Sequence, residues 1–225
     1  MEITDAQYRQ IAPWLPTQRG NVTLDNLQVL NAILYVAEQG CKWRGLPKRF
    51  GHWHTIYTRM NRWSKSGVLD RVFAQLQHAQ ILRLKIEAVA LDSTIVKVHP
   101  DAADARTALA FALSPGQAHD APAGRMLLQR FGRLPRPIHL LMDRAYEGDE
   151  TRQVAVDLGY VPVVPPKQNR LAPWEYDRAL YRRRNEIERL FRRLKGFRRI
   201  FTRFEKLDVM FVAFINFALI VEGLR

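Results

Sequence analysis

The sequence predicts an α/β protein in two parts, an N-terminal helical region of helix-turn-helix type over residues 1–80 and a region of alternating strands and helices over 81–225. Two observations carry that expectation. Up to His78 the apolar residues recur at helical spacing between short Gly- and Pro-containing connections. Near Leu84 the texture changes to short β-branched runs that alternate with helical segments, the pattern of an α/β layer fold.

In chain order, Thr4 or Asp5 can cap a first helix that stops near Pro13 and Pro16. Leu24 to Gln39 gives a second, with Leu27, Leu30, Ile33 and Leu34 on one face and Gly40 at its end. The stretch HWHTIYTRMNRWSKSG, residues 52–67, makes a third, closed by Gly67, and Val68 to His78 a fourth. The runs LKIEAVALD and PIHLLMD read as strands, each ending in an acid, Asp92 and Asp143. Helices follow over Ala121 to Phe131 and Glu150 to Leu158, then YVPVVPP as a strand stopped by prolines. Tyr181 to Lys195, free of Gly and Pro, reads as one helix whose face is Ile187, Leu190, Phe191 and Leu194. Val209 to Val221 is apolar but interrupted by Asn216, and it falls short of the roughly 20 residues of a membrane span, so a core helix is expected.

With 225 residues and 47% hydrophobic content the chain can bury a real core. Its formal charge of +13 points to a polyanionic partner, nucleic acid first, although a ribosomal or membrane-surface protein could share that balance. The single cysteine, Cys41, excludes an internal disulfide and a cysteine-built zinc cluster. No signal-peptide pattern opens the sequence, so a cytoplasmic protein is expected. The positive charge is concentrated. From Arg178 to Arg203 eleven bases face two acids, and from Gln39 to Leu69 seven bases face none. In the second stretch Arg59, Arg62 and Lys65 recur every three residues and share one side of a helix, a candidate DNA face.

Acids at the ends of two strands and a third on a later helix suit hard divalent cations, which can promote attack on a phosphodiester. Asp at a strand end is also an ordinary turn residue. What sharpens the reading is the spacing Tyr181, Arg184, Glu188, Lys195, which at about 100° per residue falls within an arc of roughly 60° beside the apolar face. Glu186 points about 200° away from Glu188, so the two cannot serve one site.

Together, LDSTIVKVH, SPGQAHD, LMDRAYEGDE, the Tyr-Arg-Glu-Lys spacing and the N-terminal NAILYVAEQGCKWR and LPKRFGHWHTIYTRMNRW resemble the DDE-type transposases of bacterial insertion sequences over nearly the full chain. The resemblance implies a helix-turn-helix-like DNA-binding domain at 1–80 and a ribonuclease H-like catalytic domain at 81–225. It implies Asp92, Asp143 and Glu188 as catalytic, metal-binding acids holding two Mg²⁺ ions, or Mn²⁺. It further implies that Arg184 and Lys195 hold DNA phosphates, that Tyr181 positions the strand, and that the protein acts on terminal inverted repeats and target DNA as a homo-oligomer, away from membranes. The sequence departs from the family after Asp92, where a basic, glycine-rich stretch and one sheet strand are missing. Ile95 to His99 is therefore expected to re-pair with Leu109 to Leu113 across a turn at 101–106. Two other readings compete: a deletion derivative that binds DNA without chemistry, and a metal-dependent nuclease of the resolvase kind.

Overall fold

The computed structural model describes residues 2–20, 22–79, 88–91, 96–100, 108–113, 119–133 and 136–225. Of residues 88–91, 96–100, 108–110, 112, 186 and 187 it describes the backbone only. The chain forms two compact units, one of residues 1–83 with 191–225 and one of residues 84–190.

The first unit is helical. Helix α1 (Asp5–Ile11) opens on a capping box in which the Thr4 hydroxyl accepts from the Gln7 amide and the Gln7 side chain accepts from the Thr4 amide. Asp25 caps α2 (Asn26–Gln39), so the helix starts two residues later than its apolar pattern suggests, and Gly40 ends it in the left-handed region at φ 64°. Helices α3 (Trp53–Lys65) and α4 (Val68–His78) follow, joined at Gly67, φ 63°.

In chain order α5 (Asp120–Phe131) and α6 (Asp149–Asp157) follow, then α7 (Arg178–Arg182) and α8 (Asn185–Lys195). Short α9 (Arg198–Phe201) and apolar α10 (Asp208–Gly223) close the chain. Helix α10 is the core element expected of Val209 to Val221: Met210, Phe211 and all of 213–222 are buried, and it packs against α2, α3 and α4. Each large side chain buried in this way contributes roughly 1.5–3 kcal/mol, which makes α10 a principal source of that unit's stability. Its polar interruption, Asn216, is satisfied by donating to Asp70 Oδ1 at 2.6 Å. No helix among the described residues is long and apolar enough to cross a membrane.

The expectation cut the chain once, at 80/81. The packing divides it at Arg83/Leu84 and again at Leu190/Phe191, because α10 finds its apolar partners among the N-terminal helices.

The second unit holds the strands β1 (Ala88–Leu91), β2 (Val96–Pro100), β3 (Ala108–Leu113), β4 (Ile138–Met142) and β5 (Tyr160–Val163). Strands β1, β4 and β5 form a parallel sheet in that order, with Ala88 opposite His139 and Leu91 opposite Met142. Parallel neighbours require a crossover, and α6 supplies it between β4 and β5. Strands β2 and β3 pair antiparallel, Val96 with Leu113 and Val98 with Phe111, the re-pairing expected after Asp92. The turn expected at 101–106 lies outside the described residues, as does most of SPGQAHD. A core of Leu128, Leu140, Met142, Tyr146, Ala155 and Val164 holds α5 and α6 to the parallel sheet.

Candidate active site

Strand β4 runs straight into Asp143, whose side chain accepts from the Ala145 amide at 3.2 Å and so starts the helical turn Arg144–Tyr146. Beside it β1 ends at Leu91, opposite Met142, one residue before Asp92 in the sequence. Asp92 itself lies outside the described residues.

The helix expected over Tyr181 to Lys195 is broken. Helix α7 ends at Arg182, the amides of Arg183 and Arg184 close tight turns onto Leu180 and Tyr181, and α8 begins at Asn185. The break leaves Arg182 and Arg183 at the C-terminal end of α7, where carbonyl dipoles favour cations; one continuous helix would enclose three adjacent arginines in its interior. Tyr181 therefore does not share a single helical arc with the other three signature residues. Tyr181 is nonetheless close to one of them: its ring lies 5.9 Å from the Arg184 guanidinium carbon and packs edge-on against Tyr176 at 5.5 Å.

Arg184 draws two of the expected acids together. Its Nη2 donates to Glu188 Oε1 at 2.9 Å, one turn along, and its Nη1 lies 3.6 Å from Asp143 Oδ2. The guanidinium is 15% exposed and the two carboxylates 45% and 41%, so the acids face solvent from a largely covered cation. Burial pushes the Tyr181 phenol above its ordinary range; the positive Arg184 acts against that and the Asp143 charge with it. Lys195 is exposed at the last position of α8. The side chain of Glu186 lies outside the described ones, so its expected orientation does too. Among the described residues no group of three His, Cys, Asp or Glu is placed to hold a metal ion, and Asp92 is not among them.

Sequence reasoning missed a network just past Asp143. Glu147 is buried and accepts from Arg170 at 3.0 Å with Lys167 at 3.3 Å. Arg170 also pairs with Asp149 and lies against Trp174, as does Arg152, whose guanidinium carbon stands 3.6 Å from that ring. The Trp174 indole donates to the Val164 carbonyl, fixing the loop after β5. The signal that could have found it is the concentration of Lys167, Arg170 and Trp174 in an otherwise polar loop.

Of the expected DNA face on α3, Arg62 and Lys65 are exposed. Arg59 is half-buried and donates to the Leu24 carbonyl at 3.0 Å, and burial, helped by the Arg62 charge, lowers its proton affinity while Asp25 opposes.

A family profile described as "Transposase DDE domain" matches residues 83–221, and one described as "Putative transposase of IS4/5 family" matches residues 3–73. Fold and sequence thus define a DDE transposase, an enzyme that breaks and rejoins DNA phosphodiesters with divalent metal ions. The chain belongs to that family, the transposases of insertion elements. Among its relatives, a Brucella ovis protein named "Putative transposase for insertion sequence element IS6501" is 32% identical over 113 residues, half of this chain and 85% of that protein. A Sinorhizobium fredii protein, "Uncharacterized protein y4sN", is 36% identical over 47% of this chain and 84% of its own. The "Insertion element IS402 uncharacterized 16.2 kDa protein" of Burkholderia cepacia is 29% identical over 42% and 72% respectively.

Proposed function

We propose that Asp92, Asp143 and Glu188 are the catalytic acids of this transposase and that they hold Mg²⁺, as two ions, or Mn²⁺. The observation that carries this is the convergence of Asp143 and Glu188, 45 residues apart in sequence, on one guanidinium. Two carboxylates that reach one cation present hard oxygen donors suited to a small divalent ion, and both remain open to solvent. When bound, such ions stabilise the charge that develops on the attacking and leaving oxygens.

The protein's own residues do the rest. Arg184 holds the acids in register and, with Lys195, takes up DNA phosphates. Tyr181, kept protonated by its burial, donates a hydrogen bond to the strand and positions it. We read residues 1–80 as a helix-turn-helix-like DNA-binding domain, with Arg59, Arg62 and Lys65 of α3 towards the duplex, and 81–225 as a ribonuclease H-like domain short of one strand, repaired by the β2–β3 pair. The substrate is the terminal inverted repeats and target DNA of an insertion element. Water cleaves a phosphodiester at each end, and the freed 3′ hydroxyl then attacks the target strand. Two ends must meet, so the working form is a homo-oligomer, in the cytoplasm on the nucleoid.

The test is strand cleavage on labelled DNA carrying the inverted repeat that flanks the coding sequence, with Mg²⁺, beside Asp92→Asn and Glu188→Gln. Nicking confined to the repeat ends and lost in both variants, with end binding retained, is the expected result. Strand transfer that persists in Glu188→Gln would reassign the third acid.

A further inference from the structure

The helical unit gathers bases from two distant stretches of sequence onto one surface. Arg199, buried, donates to the Cys41 carbonyl at 2.7 Å, pairs with Glu205 and lies against the rings of Trp43, Phe204 and Phe214. It pins the chain after α2 to the chain around α9. Gly40 marks how close the approach is, since a Cβ there would stand 2.9 Å from Arg198 Cβ. Lys42, Arg44 and Arg198, all exposed, are thereby brought to one neighbourhood, with Lys206 exposed on the same α9–α10 connection.

Acids nearby are already engaged. Glu205 pairs with Arg199, Asp208 with Arg203 and Glu38 with Arg225. Phe201 and Phe204 add apolar surface at 62% and 54% exposure, and Arg203, in the left-handed region at φ 45°, shapes the turn that presents them. Bases beside exposed aromatics suit a phosphate backbone and the sugars and base steps along it.

This surface is not the α3 face. The turn after α2 packs on α3 through Trp43 against Tyr57 and Arg44 against Trp53. Trp53 lies about 180° around the helix from Arg62. The unit is basic on both sides.

We infer that Lys42, Arg44 and Arg198, with Phe201 and Phe204, form a second DNA-binding face that grips a separate duplex while α3 engages the first. The inference rests on the reading of α3 as the first face. Bead-bound duplex carrying the end repeat, loaded with the full-length protein, is offered a fluorescent duplex of unrelated sequence. The Lys42→Glu/Arg44→Glu/Arg198→Glu variant is expected to bind the beads as wild type does but to capture at least tenfold less second duplex, with the salt slope of that capture reduced by about three. Undiminished capture overturns the inference. So does a loss of capture that coincides with a fall in oligomer mass by light scattering, because the face would then join protein to protein. Arg62→Glu separates the two readings: end binding that survives it removes the first face, while the triple variant still decides the second.

Discussion

Arg184 donates to Glu188 at 2.9 Å while its other amino group lies 3.6 Å from Asp143. Two carboxylates repel unless a cation lies between them, so this guanidinium sets their separation as well as their charge balance. A lysine would keep the charge and lose the fork. Arg184→Lys is expected to lower strand transfer at least tenfold, since about 1 Å of misplacement costs on the order of a hundredfold. Stability should change by less than about 1 kcal/mol, because the carboxylates are nearly half exposed. Transfer assays beside urea unfolding check both, and full transfer in the variant would remove Arg184 from the site.

Arg59 and Arg62 sit three residues apart but should respond differently. Arg62→Glu is expected to weaken end binding at least tenfold, as the loss and reversal of a phosphate contact. Arg59→Ala removes the bond to the Leu24 carbonyl and should cost about 1 kcal/mol of stability. Gel retardation and thermal unfolding separate the two, and equal effects on DNA from both would make Arg59 as direct a phosphate contact as Arg62.

The Glu147 carboxylate is buried and leans on Arg170. Removing one partner of such a pair strands a charge, so Arg170→Ala should lose about 3 kcal/mol, with Arg170→Lys in between. Chemical denaturation measures it. An unchanged midpoint would mean that Lys167 alone satisfies the acid.

The phenols of Tyr160 and Tyr181 are pushed above the ordinary tyrosine range by burial. In the folded state they keep their protons longer than in the unfolded chain, so their contribution is complete below about pH 10 and is lost as pH rises through the folded values. Stability should fall above about pH 10, and Tyr160→Phe/Tyr181→Phe should flatten that fall. Absorbance titration of the phenolates follows it directly, and two phenols ionising at the ordinary value would refute it.

Most secondary structure was legible because its causes are local. Val68 to His78 forms α4 over those same residues, PIHLLMD contains β4, and the shortened region after Asp92 pairs as β2 and β3. The break at Arg183–Arg184 was not, because apolar spacing within 187–194 cannot register how three adjacent arginines are accommodated. Nor was the return of α10 to the N-terminal helices, since an all-round apolar helix declares burial without naming its partner. At the candidate site, a strand end and the helical spacing singled out Asp143 and Glu188, which the structure brings to one guanidinium. The bridging position of Arg184 was not, because it depends on where α8 restarts relative to β4.

That return of α10 has a consequence for biosynthesis. A ribosome delivers the first 83 residues well before residues 191–225, so the nascent helices wait with the apolar flanks of α3 and α4 uncovered while the strand unit emerges and can close. The basic helical surface is completed only when residues 191–225 join the first 83. A polypeptide that stalls or frameshifts before α10 is left with sticky, uncovered helices exposed to chaperones and proteases.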